Sequence, residues 1–258
     1  MSDPFQYADE LGPAKIVHVH EPSVGLRGIL VVDNTAAGPA IGGLRMAADA
    51  SLEECFRLAR AMSLKNAAAG LAHGGGKSVM IADPKCSPEK KEELVRAMAC
   101  ALAEEQSYIF GPDMGTDETC MGWVHDEIGR AVGLPREIGG IPLDEIGATG
   151  WGVRHAIEVA APFAGVALDG ARIVIQGYGN VGRPAAHFLA ELGCRTVAVA
   201  DSRGAVCVDG GFDLEKLDAI KSEGGSVVDY PGGRSLDADA LVGVDCEIWV
   251  PAARPDAI

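Results

Sequence analysis

The stretch Arg172 to Asp201, RIVIQGYGNVGRPAAHFLAELGCRTVAVAD, decides the fold of the second half of the chain. Its first five residues are a continuous apolar run closed by Arg172 and Gln176, the pattern of a strand buried on both faces. That run leads into Gly177-Tyr178-Gly179-Asn180-Val181-Gly182 and then a helix. A second apolar run, Thr196-Val-Ala-Val-Ala200, ends at Asp201, 19 residues beyond Gly182. Strand, G-x-G-x-x-G, helix, strand and acid in that order make a dinucleotide-binding fingerprint in its proper context, where a lone glycine motif would mean little. The glycines would admit a pyrophosphate to the helix N-terminus. Asp201 would accept hydrogen bonds from the ribose hydroxyls and repel a 2′-phosphate, which favours NAD over NADP. The adjoining Ser202-Arg203 weighs against an absolute preference.

Beyond this core the sequence predicts a hairpin near 205–208, a third strand at Ser226–Asp229 and a fourth at Cys246–Val250. A Rossmann sheet has six strands in the order 3-2-1-4-5-6. Nothing before Ile258 matches the fifth and sixth, so the sequence reads as truncated on the side of the second half-fold.

The first half is organised around Met62 to Asp83, MSLKNAAAGLAHGGGKSVMIAD, which holds two of the eight lysines, Lys65 and Lys77. Small apolar residues surround both, an expensive setting for an ammonium group. The triplet Gly74-Gly75-Gly76 reads as a turn or a close approach to a ligand. The run Ser78–Ala82 reads as a buried strand with Lys77 at its mouth. A bland alternative is a helix, a turn and a strand with two snorkelling lysines. A phosphate-binding loop is excluded, since its first glycine would fall at Leu71 and helix precedes it.

Around that stretch, Lys15–His20 and Arg27–Asp33 read as paired strands, and Gly38–Arg45 as a loop exposing backbone N–H groups. His18 and His20 would share a strand face, but no carboxylate or cysteine cluster accompanies them, and no metal site is read. Ser51-Leu-Glu-Glu54 spells a capping box ahead of a helical stripe through Leu52, Cys55, Phe56, Ala59 and Met62. Ser87-Pro88 opens a second helix, with Leu94, Met98 and Leu102 inside. Tyr108–Phe110 is a short strand delivering Gly111-Pro112-Asp113. Thr116 or Asp117 can cap a third helix over Asp117–Val132, which frees Asp113 for chemistry. Gly133–Gly140 reads as a linker.

A net charge of −15 without any basic cluster argues against nucleic acid and anionic membrane as partners. No segment is apolar enough to span a bilayer, and the N-terminus lacks the parts of a signal peptide. Seven scattered cysteines without a C-x-x-C pair suit reduced thiols in the cytoplasm.

Several motifs together resemble the Glu/Leu/Phe/Val amino-acid dehydrogenases over nearly the whole chain. They are Gly38-Pro39-x-x-Gly42-Gly43-x-Arg45, Met62-Ser63-Leu64-Lys65-Asn66-Ala67-Ala68-Ala69-Gly70, Gly74-Gly75-Gly76-Lys77, Pro112-Asp113-Met114-Gly115-Thr116, Ala148-Thr149-Gly150-x-Gly152-Val153 and the Gly177–Gly182 fingerprint. The resemblance implies an α/β fold with a substrate-binding and catalytic domain over 1–140. A Rossmann NAD-binding domain, incomplete at its C-terminus, would follow over 141–258, facing the first across a cleft in a homo-oligomer. It implies NAD-dependent, reversible oxidative deamination of an L-amino acid: hydride leaves Cα for the nicotinamide, and water attacks the resulting iminium to give a 2-oxo acid and ammonia. Lys77 would be the base and Asp113 its proton relay. Lys65 and the Gly42-Gly43 backbone would hold the α-carboxylate. Thr149 would place nicotinamide or substrate, and Ala252-Ala253 would border the nicotinamide. The glycines 177, 179 and 182, with Asn180, Val181 and Asp201, would hold the rest of the cofactor.

A base active near neutral pH needs a lysine tuned by burial and a second cation, a cation this reading assigns to Lys65. Glutamate-specific relatives carry a lysine just before the glycine pair, where Ile41 stands here, and Gly111 leaves room beside it. An apolar side chain (Leu, Val, Ile or Phe) is therefore expected. Glutamate stays open, because Asp117–Val153 reads closer to the glutamate enzymes. Two further alternatives are a different dinucleotide oxidoreductase, which leaves Lys65, Lys77 and Asp113 unused, and a non-catalytic NAD-binding or oligomer-forming homologue.

Overall fold

The computed structural model describes residue 3 and residues 5–253, apart from the side chains of 238 and 239. The chain divides into two compact units, Met1–Pro142 and Leu143–Ile258, each an α/β layer structure with one five-stranded sheet.

In the first unit the strands are β1 (Lys15–Glu21), β2 (Leu26–Asn34), β3 (Ala40–Ala47), β4 (Gly74–Ile81) and β5 (Tyr108–Pro112), arranged β1-β2-β4-β3-β5. β1, β2 and β4 are antiparallel neighbours, while β3 runs parallel to both β4 and β5. The helices are α1 (Leu52–Ala68), α2 (Pro88–Ala101) and α3 (Glu118–Ile128). Strand alternation sorts the two faces. Leu30 and Val32 of β2, Leu44 and Met46 of β3 and Met80 of β4 pack against Leu94, Met98 and Leu102 of the α2 segment and Met121 and Val124 of α3. Ile29, Val31 and Val79 point the other way, onto Cys55 and Ala59 of α1. Burying each such aliphatic side chain contributes about 1.5–3 kcal/mol, which is what fixes the strand register.

The caps follow the sequence, with informative exceptions. Ser51 and Ser87 accept from the backbone N–H groups of Glu54 and Lys90, and Asp117 caps α3. The reciprocal half of the Ser51 box is missing, because the Glu54 carboxylate takes a hydrogen bond from Arg45 instead. α3 stops at Ile128 on a left-handed Gly129, short of Val132, and the chain then returns to bond Val132 to β5. The expected loop at Gly38–Arg45 is mostly strand. The glycine triplet is likewise strand rather than turn, and Lys77 sits within β4. Glycine is needed there for close approach: a Cβ on Gly75 would overlap the Ser63 backbone in α1, and one on Gly76 would lie 2.9 Å from the Tyr108 ring. The expected linker carries a short 3₁₀ turn, Arg136–Ile138.

In the second unit, α4 (Ala148–Ala164), β6 (Arg172–Gln176), α5 (Gly182–Ala190), β7 (Arg195–Asp201), β8 (Gly204–Cys207), α6 (Leu214–Ser222), β9 (Arg234–Leu236) and β10 (Ile248–Pro251) build a sheet in the order β10-β6-β7-β8-β9. β10, β6 and β7 are parallel, as a Rossmann half-fold requires, whereas β8 and β9 are antiparallel additions. Ser226–Asp229 does not form the third strand. Val227–Asp229 is a 3₁₀ turn closed by a reciprocal box between Ser226 and Asp229, a local side-chain bond that outcompetes the ladder. The tail from 254, after which the fifth and sixth strands were expected to be missing, lies outside the described residues. Among the described residues no helix is long and apolar enough to cross a membrane.

Candidate active site

Five positions singled out from the sequence fall on the three parallel strands of the first unit. By alternation Ile41 and Gly43 share the α1-facing side of β3 with Arg45, and Lys77 shares that side of β4 with Val79. Gly111 pairs with Gly43, and Asp113 follows two residues later, just past the end of β5. The β3–β4 register pairs Ile41 with Gly75 and resumes at Leu44 with Ser78, so Gly42 and Gly43 are unpaired on that side. Tyr108 donates its hydroxyl hydrogen bond to the Gly42 carbonyl at 2.8 Å and anchors this interrupted stretch.

Lys77 and Asp113 form a direct ion pair. Lys77 is buried, with 5 % of its surface exposed. Burial pushes its ammonium group below the usual lysine range; Asp113 pulls the other way, and the positive charge of Arg45 adds to the lowering. For Asp113, burial alone would raise the carboxyl, but Lys77 and Arg45 outweigh it and hold it below the usual carboxylate range. The turn carrying Asp113 is fixed by Thr116, whose hydroxyl accepts from the Asp113 N–H at 3.0 Å and donates to the Leu44 carbonyl at 2.7 Å. Beneath Lys77, the Cys55 thiol donates to its carbonyl at 3.3 Å, and burial pushes that thiol up to about 12. Open space over the pair depends on Gly43. A Cβ there would stand 2.6 Å from the Asp113 Cβ and 3.2 Å from the Lys77 Nζ.

Arg45 was only a motif letter in the sequence, and it is the cation beside the Lys77–Asp113 pair. Its Nε donates to Asp113 Oδ2 at 3.0 Å and its Nη1 to Glu54 Oε1 at 2.5 Å. Lys65, expected to supply that second cation, is an exposed residue in the last turn of α1. Among the described residues no hydrogen bond or ion pair joins it to the pair. The signal that could have identified Arg45 was period-two spacing, which sets Ile41, Gly43 and Arg45 on one face; reading the segment as a loop hid it.

In the second unit, the fingerprint fits a dinucleotide at its phosphate end. Gly177 has φ 101°, and a Cβ on it would meet the Ala252 carbonyl at 2.6 Å, so Ala252 is brought directly against the glycine turn. A Cβ on Gly182 would overlap the Gly177 carbonyl, while one on Gly179 would meet nothing within 4 Å. The glycines therefore close the turn inward and leave it open outward. No side chain caps α5, whose first N–H groups suit an anion. A cavity of 610 Å³ adjoins this turn, lined in part by Gly179, Asn180, Arg183 and Lys221. Thr149 lies exposed in the first turn of α4.

Asp201 sits at the end of β7, and its carboxylate has protein partners on both oxygens. Oδ1 accepts from the Arg203 N–H at 2.9 Å and Oδ2 from the Val227 N–H at 3.0 Å. The Ser226 hydroxyl reaches the carboxylate at 2.9 Å, and Lys221 Nζ pairs with Oδ2 at 2.6 Å. Burial would raise this carboxyl; Lys221, the two N–H groups and Ser226 outweigh it and hold it at about 2.

Two family models cover most of the chain. One, described as Glu/Leu/Phe/Val dehydrogenase, dimerisation domain, matches residues 13–130, and the other, Glutamate/Leucine/Phenylalanine/Valine dehydrogenase, matches residues 139–258. The chain belongs to the Glu/Leu/Phe/Val dehydrogenase family. Among its relatives, a glutamate dehydrogenase of Thermotoga maritima is 38% identical over 247 residues, 90% of this chain and 59% of that protein. A leucine dehydrogenase of Bacillus subtilis is 33% identical over 258 residues, 96% of this chain and 65% of that protein. The crystal structure of a hetero-hexameric glutamate dehydrogenase from Thermus thermophilus, in a Leu-bound form, superposes with a TM-score of 0.84 at 32% identity, covering 95% of this chain and 63% of that one. The chain thus spans less than two thirds of the length of these relatives.

Proposed function

We propose that the protein catalyses reversible oxidative deamination of an L-amino acid to a 2-oxo acid and ammonia, with NAD as cofactor. The observation that carries this reading is the buried Lys77–Asp113 pair under the Gly43 opening. Lys77, with its proton affinity lowered, takes a proton from the ammonium of the bound amino acid and later from the water that attacks Cα. Between the two steps Lys77 releases the first proton to solvent; Asp113 carries the second from Lys77 to the substrate nitrogen, which leaves as ammonia. The Gly42 and Gly43 backbone, with Lys65, receives the α-carboxylate. When bound, the nicotinamide supplies the hydride acceptor. Gly177, Gly179, Asn180, Val181 and Gly182 would seat its pyrophosphate, Ala252 would border the nicotinamide, and Thr149 would place nicotinamide or substrate.

Ile41 supports an apolar substrate. It is half-buried on the same face as Gly43, where a distal carboxylate would lose hydration without gaining a partner, at a cost of several kcal/mol. Glutamate is the second reading, favoured by the higher identity to the Thermotoga maritima enzyme. The match of residues 13–130 to a dimerisation-domain family supports a homo-oligomer, and seven unbridged cysteines support a reducing compartment such as the cytoplasm. The test is NAD reduction with a panel of leucine, valine, isoleucine, phenylalanine and glutamate. Greater kcat/KM for glutamate than for all four apolar substrates would transfer the assignment to the second reading. Dinucleotide binding without turnover of any amino acid would make the protein a binding homologue.

A further inference from the structure

A lysine that merely paired with an aspartate would rest protonated, and a protonated lysine is no base. Burial weakens the hold of Lys77 on its proton most, and a third charged group adds to that weakening. The Asp113 oxygen that meets Lys77, Oδ2, also accepts from Arg45, so two cations share one carboxylate oxygen. Arg45 is 5 % exposed and cannot turn to water. Its second hydrogen bond, to Glu54 in the first turn of α1, pins the guanidinium from the side away from Asp113. The four residues form a chain, Lys77–Asp113–Arg45–Glu54, in which cation and anion alternate.

The other elements packed around Lys77 leave the role to Arg45. β2 presents Val31 opposite Lys77, and Asp33, two residues on, is occupied by Arg60 and Ser63. α1 brings the Cys55 thiol and Glu54. The Asp113 turn adds the Thr116 hydroxyl and Lys91, whose Nζ donates to the Gly115 carbonyl at 3.0 Å. None of these puts a second positive group on the Asp113 carboxylate.

We propose that Arg45 is a positioning residue for the reaction: it aims Asp113 and shares the carboxylate oxygen that Lys77 pairs with, and Glu54 anchors and trims its charge. This assignment rests on the reading of Lys77 as the base, yet it can be tested without turnover. Removing the Arg45 charge releases Asp113 entirely to Lys77 and strengthens the hold of Lys77 on its proton. Removing the Glu54 charge leaves Arg45 less compensated and has the opposite effect. A purely structural role for the pair would move both variants in one direction.

The experiment is competitive acylation of Lys77 by acetic anhydride as a function of pH, read by peptide mass spectrometry on the full chain. Circular dichroism of each variant checks the fold, and pH profiles of kcat/KM are measured alongside. In Arg45→Gln, Lys77 should acylate about tenfold more slowly at pH 8, the factor for one unit of proton affinity. The acidic limb of activity, where Lys77 becomes protonated, should move to higher pH. Arg45→Lys should recover most of the labelling rate, and Glu54→Gln should exceed the wild-type rate. Equal or same-sign changes in Arg45→Gln and Glu54→Gln would overturn the proposal. If Arg45→Gln does not fold, Glu54→Gln decides alone, and an unchanged or slower rate there sinks it. Opposite shifts in labelling from a wild type that turns over no amino acid would support the role of Arg45 and refute the deamination reading instead.

Discussion

Replacing Gly43 by alanine tests whether the candidate site depends on empty space above Lys77. The added Cβ would lie 2.6 Å from the Asp113 Cβ, 2.8 Å from the Pro112 carbonyl oxygen and 3.2 Å from the Lys77 Nζ. Carbon atoms rest at about 3.5–4.0 Å, so Asp113 must retreat by roughly 1 Å. The Thr116 bonds on one side and the paired strand β3 on the other make that retreat a displacement of the whole turn. A misplacement of about 1 Å at a reacting group costs on the order of 100-fold in rate, about 2.7 kcal/mol in the barrier. Overpacking should also cost about 1–3 kcal/mol of stability. Gly122→Ala in α3 is the control, since its Cβ would meet only Pro135 at 3.5 Å, an ordinary contact. Amino-acid-dependent NAD reduction and urea denaturation of both variants give the comparison. Gly43→Ala with kcat/KM within about threefold of the Gly122→Ala value would refute the reasoning, because a 1 Å shift of Asp113 could not be so mild.

The other predictions concern single side chains. Lys77→Ala should abolish turnover while NADH binding, followed by fluorescence, stays near wild type, since the fingerprint lies in the other unit; equal loss of both would make Lys77 a folding residue. Lys65→Ala should raise KM for the amino acid with little change in kcat, and an unchanged KM would remove its carboxylate role. Asp201→Ser should narrow any preference for NADH over NADPH in direct binding titrations, and a wild type that already binds NADPH more tightly would sink this expectation. The same carboxylate, held at about 2 by its partners, should stabilise the fold fully above its unfolded value near 3.9. That contribution should fade as pH falls from about 4 toward 2, so the wild-type advantage in Tm over Asp201→Asn should shrink in that window. Ile41→Lys should move the kcat/KM ratio toward glutamate, and no movement would mean that Ile41 does not line the pocket.

Much of this was legible in the sequence, for a physical reason. The β6–α5–β7 unit carries strong local signals, from buried strand to glycine turn to acid, and each reappears at its residue. Helix starts at Ser51, Ser87 and Asp117 were readable because capping is a contact between near neighbours. What stayed hidden depends on partners far along the chain. Gly74-Gly75-Gly76 is strand because Ser63 and Tyr108 press against it, and nothing within the triplet announces that. Arg45 reaches Asp113 across 68 positions, so the cation beside Lys77 could not be found by looking near Lys77. Ser226–Asp229 failed as a strand because its own side chains offered the backbone a better local bond.

The glycine lining of the first unit also limits how such a site can diversify. Gly42, Gly75 and Gly76 each face backbone or ring at distances that admit no side chain, and Gly43 faces the Lys77–Asp113 pair. Side-chain variation is therefore barred at these four glycines. At Gly111, by contrast, a Cβ would find Val132 at an ordinary 3.5 Å, and Ile41 already carries a side chain on the same face as Gly43. A combinatorial library at 41 and 111 would therefore sample substrate preference against a fixed chemical apparatus.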